Sequence, residues 1–338
     1  MNDKNNIIDN IKYHTINIFI GIDPSLNSTG ITIMSDCACN DKYIYNRMFV
    51  VKTKLTRKET KILDLYKTNN KITYKQFFVE PSREFYFDAL LYYNKDANYY
   101  NKEPNKDSHK FEMIKTENLI SITSTIDRLI IRNILDIVSL YKKKYSIPND
   151  EENNKKHLYN IICHTCIETN SFNSRQHSVS LVELCGLNYL IRNMILNLDV
   201  KETKLHIHVA ESNLLCATPT EIKKFATYRG DADKELMMTC FTLLQPNIIN
   251  ELDGFKLDDV ADSYFMCLYA INNYEQENLN DSTIFYKNGL FVDDTKNKLI
   301  SIIEDKKAKK KKDRANKKVL KNKEQIWDDD MLNFADKI

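Results

Sequence analysis

The sequence predicts an α/β chain with a mixed central sheet flanked by helices, and three observations point that way. Residues 16–34 (INIFIGIDPSLNSTGITIM) hold two short apolar runs separated by an Asp-Pro-Ser break, the pattern of a strand hairpin. Residues 117–144 repeat apolar side chains at helical spacing. From residue 157 onward, strand-like and helix-like runs alternate, and the chain has no internal repeat.

The hairpin opens the fold. Residues 16–22 are apolar enough for a buried strand, Asp23-Pro24-Ser25 stops it, and Gly30-Ile31-Thr32-Ile33-Met34 begins the second strand. Asp23 therefore stands at a strand end, where an aspartate by itself reads first as a turn-former. Only six glycines occur, at 21, 30, 186, 230, 254 and 289, in a chain rich in Lys, Asn and Ile, the mark of AT-biased coding. Glycines kept under that bias belong where the backbone needs them.

Within residues 35–110, residues 54–78 mix basic and apolar side chains and read as strands with connecting loops. Seven aromatics fall within residues 85–100; packing against the body is expected of them, and stacking on bases is the alternative. The helix of 117–144 carries Ile122, Ile126, Leu129, Ile130, Ile134 and Ile137 on one face and stops before Pro148. Residues 157–168 (HLYNIICHTCIE) form a strand that also closes on an acid, Glu168. A helix follows at 178–197, with Gly186 inside it for close packing against the sheet. Residues 205–210 are a short strand whose His206 and His208 read as strand side chains. Residues 220–244 are helical around a polar loop at 227–233. The last helix, 257–272, starts with acids, which suit the positive end of its dipole.

Composition excludes several function classes. With 42% hydrophobic and 28% charged residues over 338 positions, the chain has material for a large core and is not a disordered protein. No apolar run approaches the roughly 18–20 residues that cross a bilayer. The polar first twelve residues are no secretory signal, so an intracellular, soluble protein of cytoplasm or nucleus is expected. Eight scattered cysteines read as reduced, buried thiols. The Cys163/Cys166 pair lacks the second pair that a zinc site needs, since Cys37 and Cys39 are one residue too close. Phosphate-gripping ATPase folds that also begin on an acidic strand need glycine-rich loops, which this chain cannot supply.

Charge is unevenly placed. The net charge is +2, yet residues 306–323 hold eleven Lys or Arg against one Asp, a local +10 that leaves −8 on the rest. A basic tail on a mildly acidic body fits a polyanionic partner; an import signal or a solvated end are the other readings of these residues.

Four carboxylates are conspicuous: Asp23 and Glu168 at strand ends, and Asp259 with Asp262, one helical turn apart, on the last helix. Asp258 can replace Asp259, because an i, i+4 pair also shares a face. Neighbouring strands with the helix across their ends would bring these acids together. Such like charges are tolerable when hard cations such as Mg²⁺ or Mn²⁺ neutralise them. Paired ions of this kind serve phosphodiester hydrolysis.

The segment GIDPSLNSTG (21–30) resembles the first strand motif of the RuvC family of Holliday junction resolvases, within the ribonuclease H-like superfamily. In the same order, CIETNSF (166–172) and SLVELCGLNYLI (180–191) resemble the family's second acidic strand and the helix after it. TEIKKFATYRGDADKELM (220–237) resembles its DNA-contacting lysine block, and DDVADSYFMCLYA (258–270) its closing acidic helix. These blocks hold 60 of the 338 residues.

The resemblance implies a ribonuclease H-like nuclease domain over 14–275, with an insertion at about 35–110, and a C-terminal extension over 276–338. It implies that Asp23, Glu168, Asp259 and Asp262 are catalytic and hold two Mg²⁺ ions, for which Mn²⁺ can substitute. It places DNA-binding on Lys223, Lys224 and Lys234, and on Phe172, which lies one residue farther from the glutamate than the family pattern has. Tyr228 stands where relatives often carry Gly. The implied activity is paired cleavage of four-way DNA junctions by a homodimer, in recombination, repair or replication, with helix 178–197 as the candidate interface. The coding bias and tail fit a large DNA virus. A related nuclease acting on flaps or other branches, or a non-catalytic DNA-binding protein on the same fold, are the alternatives.

Overall fold

The computed structural model describes residues 12–35, 45–52, 57, 77–79, 83–87, 108–147, 157–169, 178–200, 207–245 and 257–277, together with 300–302, 304, 305, 308 and 312. The chain divides into two compact units, Met1–Leu290 and Phe291–Ile338. Every element named below lies in the first.

Strand β1 (Lys12–Asp23) is the axis of the fold. Ile16, Ile18, Ile20 and Ile22 alternate along it and are at most 1% exposed, while Phe19 and Gly21 face the other side. Both faces are covered, which is why the run reads as continuously apolar rather than alternating. β2 (Ser28–Ser35) pairs antiparallel to β1, with Asp23 opposite Gly30. The hairpin expected from the sequence is present. β3 (Tyr45–Lys52) continues the sheet antiparallel to β2, followed by the short β4 (Phe77–Val79) and β5 (Arg83–Phe87). Part of the stretch read as an insertion is thus built into the sheet itself. Most of the aromatic-rich segment 85–100, Cys37 and Cys39 lie outside the described residues.

Helix α1 (Ser108–Lys144) begins nine residues before the apolar rhythm that predicts it. After Pro104 no breaker stands in its way, and Lys115 in the added turns is buried against Glu183 (2.9 Å) and Glu112 (3.1 Å). β6 (His157–Glu168) then lies parallel to β1, from Lys12 opposite His157 to Ile22 opposite Ile167. α2 (Ser178–Leu196) follows, then β7 (Ile207–Ala217), parallel to β6 at the sheet's edge and longer than its sequence pattern indicates. α3 (Pro219–Thr227) starts with a capping box between Thr218 and Glu221. α4 (Lys234–Leu244) is capped by Asp233, whose side chain accepts from Leu236 N at 2.9 Å. α5 (Asp258–Glu277) closes the domain. The strand order is β4-β5-β3-β2-β1-β6-β7, and the expected architecture, a mixed central sheet flanked by helices, is observed.

One face of the sheet carries the main core, where the β1 isoleucines meet Ile122, Ile126, Leu129, Ile130 and Ile134 of α1 and Leu187, Ile191 and Ile195 of α2. Gly186 faces Leu119 of α1 rather than the sheet, which corrects the sequence expectation. The small residue serves contact between the two helices. On the other face α5 crosses β1, β2 and β6. A Cβ on Gly21 would overlap the carbonyl oxygen of Ser263, and one on Gly30 that of Asp259. These two glycines bring the start of α5 onto the strand ends. Cys163 and Cys166 are both buried but, three apart on a strand, point to opposite faces and cannot chelate together. Among the described residues no helix is long and apolar enough to cross a membrane.

Candidate active site

Parallel pairing of β1 and β6 puts their C-terminal ends side by side, the edge of an open α/β sheet where ligands commonly bind. Asp23 ends one strand and Glu168 the other, and both share a face with the residues that α5 covers. Asp23 and Glu168 lie close enough for each to act on the other's carboxyl group, by charge and by side-chain hydrogen bonding. From the first turns of α5, Asp259 and Asp262 add their charge to Asp23. Four of the sequence-predicted acids therefore do come together, and all four retain partial solvent access.

The neighbours of α5 separate its two adjacent acids. Ser28 Oγ at the start of β2 donates to Asp259 Oδ2 at 2.5 Å. Asp258 Oδ2 instead accepts from Lys234 Nζ at 3.3 Å. Asp259 is turned to the cluster and Asp258 to the lysine. Ser28 is a contributor that sequence reading missed: its partner lies 231 positions away, and the only signal was a hydroxyl two residues before the hairpin's glycine.

Electrostatics describe a site short of positive charge. Burial, then the charges of Glu168, Asp262 and Asp259, push the Asp23 carboxyl well above the usual range. Burial, Glu168 and the other α5 acids push Asp262 up to about 7, against the pull of Lys234. Burial raises Glu168 as well, while its bond to Asp23 and the charges of Lys223 and Lys234 draw it back. Burial lowers the Lys234 ammonium, but Asp258, Asp262 and Asp259 outweigh that and hold it protonated. Two of the three predicted lysines thus face the acids. Lys224 is exposed on the last turn of α3, and Phe172 lies outside the described residues.

The donor set is all oxygen, the kind that hard divalent cations take. Among the described residues no three His, Cys, Asp or Glu side chains are already set around one point as ligands would be. The crowding of these carboxyl groups and their access to solvent make the cluster a fit for such cations. His208 is exposed on β7, away from this chemistry in type and setting, and His206 lies outside the described residues.

No protein-family model matches the chain, and no curated protein sequence matches it. A solved structure to which it is similar is that of RuvC from Thermus thermophilus, at 12% identity and a TM-score of 0.33. The likeness covers 77% of this chain and 96% of that one.

Proposed function

We propose that the chain is a metal-dependent endonuclease that resolves four-way DNA junctions by paired cuts. The observation that supports this most is the crowding of Asp23, Glu168, Asp259 and Asp262 at the ends of two parallel strands, with Lys223 and Lys234 beside them. On this reading the four carboxylates hold two Mg²⁺ ions, with Mn²⁺ as a substitute. When bound, such ions supply an activated water and stabilise the leaving oxygen of a phosphodiester.

The chain's own residues do the rest. Asp23 and Glu168 would hold the ions from the ends of the two parallel strands, ionised when the ions are bound. Ser28 holds Asp259 in one orientation through its hydroxyl. Lys223 and Lys234 bind the phosphates that flank the scissile bond, and Lys224 and the tail 306–323 contact other phosphates of the DNA. Phe172, in the segment after Glu168, belongs to the DNA-facing set on the strength of the sequence resemblance.

A junction is close to two-fold symmetric, so paired cuts call for a C2 homodimer. Val182, Tyr189 and Leu196, seven residues apart along α2, are 70%, 61% and 57% exposed and form an apolar stripe suited to a second copy. Light scattering should then give twice the chain mass; a monomer both free and on DNA contradicts the dimer.

The activity is tested with labelled four-way junction, matched duplex and flap, each with Mg²⁺ or with EDTA. Paired, symmetric nicks in the junction alone, ligatable and seen only with Mg²⁺, are expected. Cleavage that prefers flaps, or that survives EDTA, overturns the proposal.

A further inference from the structure

The loop between α3 and α4 holds a tyrosine in a conformation suited to glycine. Tyr228 caps α3 with φ 59° and ψ 13°, the left-handed region that a bulky side chain avoids. The loop's own glycine, Gly230, is used otherwise: a Cβ there would come within 2.6 Å of Thr220 Cγ2, so it serves close packing. Gly at the cap would relieve the strain at no steric cost. Yet the side chain that stands there is 52% exposed, and among the described residues neither its ring nor its hydroxyl has a partner. Among the described residues nothing repays the strain.

The loop is also held in place. Thr227 Oγ1 donates to Lys223 O at 2.7 Å and accepts from Arg229 N at 3.2 Å. Arg229 grips Asp231 with two bonds of 3.0 and 2.8 Å, and Ala232 is buried. Lys223 and Lys224 precede Tyr228, Lys234 follows it, and the charges of Lys223 and Lys234 reach Glu168. An exposed aromatic side chain on a held backbone is thereby bracketed along the chain by Lys223 and Lys234, whose charges reach the acidic cluster.

We infer that Tyr228 is a stacking platform for an unstacked nucleobase at the branch point of the bound nucleic acid. Backbone-binding lysines interleaved with an aromatic face are the means by which proteins hold single-stranded or splayed nucleotides. Bases inside a duplex have both faces covered by their neighbours, so only a branch or an unpaired position offers this ring a partner. The inference rests on the nucleic-acid reading above and adds a contact to it outside the acids.

The test uses the full chain in EDTA with a four-way junction carrying 2-aminopurine at the branch point. Tyr228→Gly and Tyr228→Asn both suit the left-handed cap without a ring, and Tyr228→Phe keeps the ring. Expected for Tyr228→Gly are a raised Tm, loss of the fluorescence change on binding, and affinity weakened by roughly 5- to 100-fold. Tyr228→Asn should match it in binding, and Tyr228→Phe should behave as wild type. If the wild type binds and both ringless variants bind and quench equally well, the stacking role falls while the nuclease reading stands. If the wild type binds no DNA, both fall.

Discussion

At Asp262 the carboxyl sits near 7 because burial and the charges of Glu168, Asp259 and Asp258 outweigh Lys234. Charge held in that way costs stability until cations arrive. Asp262→Asn and Asp23→Asn keep the shape and remove a carboxylate. In metal-free buffer above pH 7, Asp262→Asn should melt higher than wild type, by about 2–4 °C per kcal/mol of relieved repulsion. Both variants should lose cleavage by more than the roughly 10- to 100-fold that a lost supporting hydrogen bond costs a metal site. Calorimetry and a nicking assay on the same preparations check both; a variant with lower Tm and wild-type turnover contradicts the site. Asp23, Glu168, Asp259 and Asp262 were legible in the sequence because strand ends and helical spacing place them. Ser28 was not, since a hydroxyl whose carboxylate lies across the fold leaves no local pattern.

Among the elements, β1 and β6 carry a second titrating group on their buried faces and lower ends. His14 Nε2 and His157 Nδ1 are 2.7 Å apart, and burial is the first cause that lowers both. His164 stacks on Phe19 and leans on Tyr274, and burial lowers it to about 4 against the opposing charge of Glu211. Unfolded imidazoles take protons near pH 6.5, whereas these folded ones stay neutral below that. Their contribution is therefore fully present above about pH 6.5 and is lost as pH falls toward 4. The urea midpoint should fall across that window, and His164→Phe should flatten the fall. A midpoint just as steep in the variant would contradict the assignment. The strands themselves were legible from their apolar runs, and α3 and α4 from the polar loop between them. The start of α1 was not, because its early turns are polar and their burial comes from Glu183 on another helix. The contact of Gly186 was equally hidden: a small residue in a helix does not say which neighbour comes close.

For the whole molecule, chemistry and non-specific affinity are expected to reside in different parts. The +10 segment at 306–323 should bind phosphates through counterion release, without regard to DNA shape. Deleting 306–338 should weaken binding to every DNA form and flatten its salt dependence, while single-turnover cleavage at saturating enzyme is kept. Lys223→Ala or Lys234→Ala should lower the cleavage rate even at saturation. A deletion that abolishes cutting of bound DNA, with Lys234→Ala silent, contradicts this division. The architecture was readable from apolar patterning alone, but the place of residues 45–52 in the sheet was not, because residues 36–44 before them hold no Gly or Pro to announce a hairpin. The central claim, that the four carboxylates form one cation site, is tested most directly by titrating metal-free protein with Mn²⁺ in a calorimeter. The account predicts two ions per chain, proton release on binding, and loss of both signals in Asp23→Asn. Binding that is absent in the wild type, or unchanged in that variant, would contradict it.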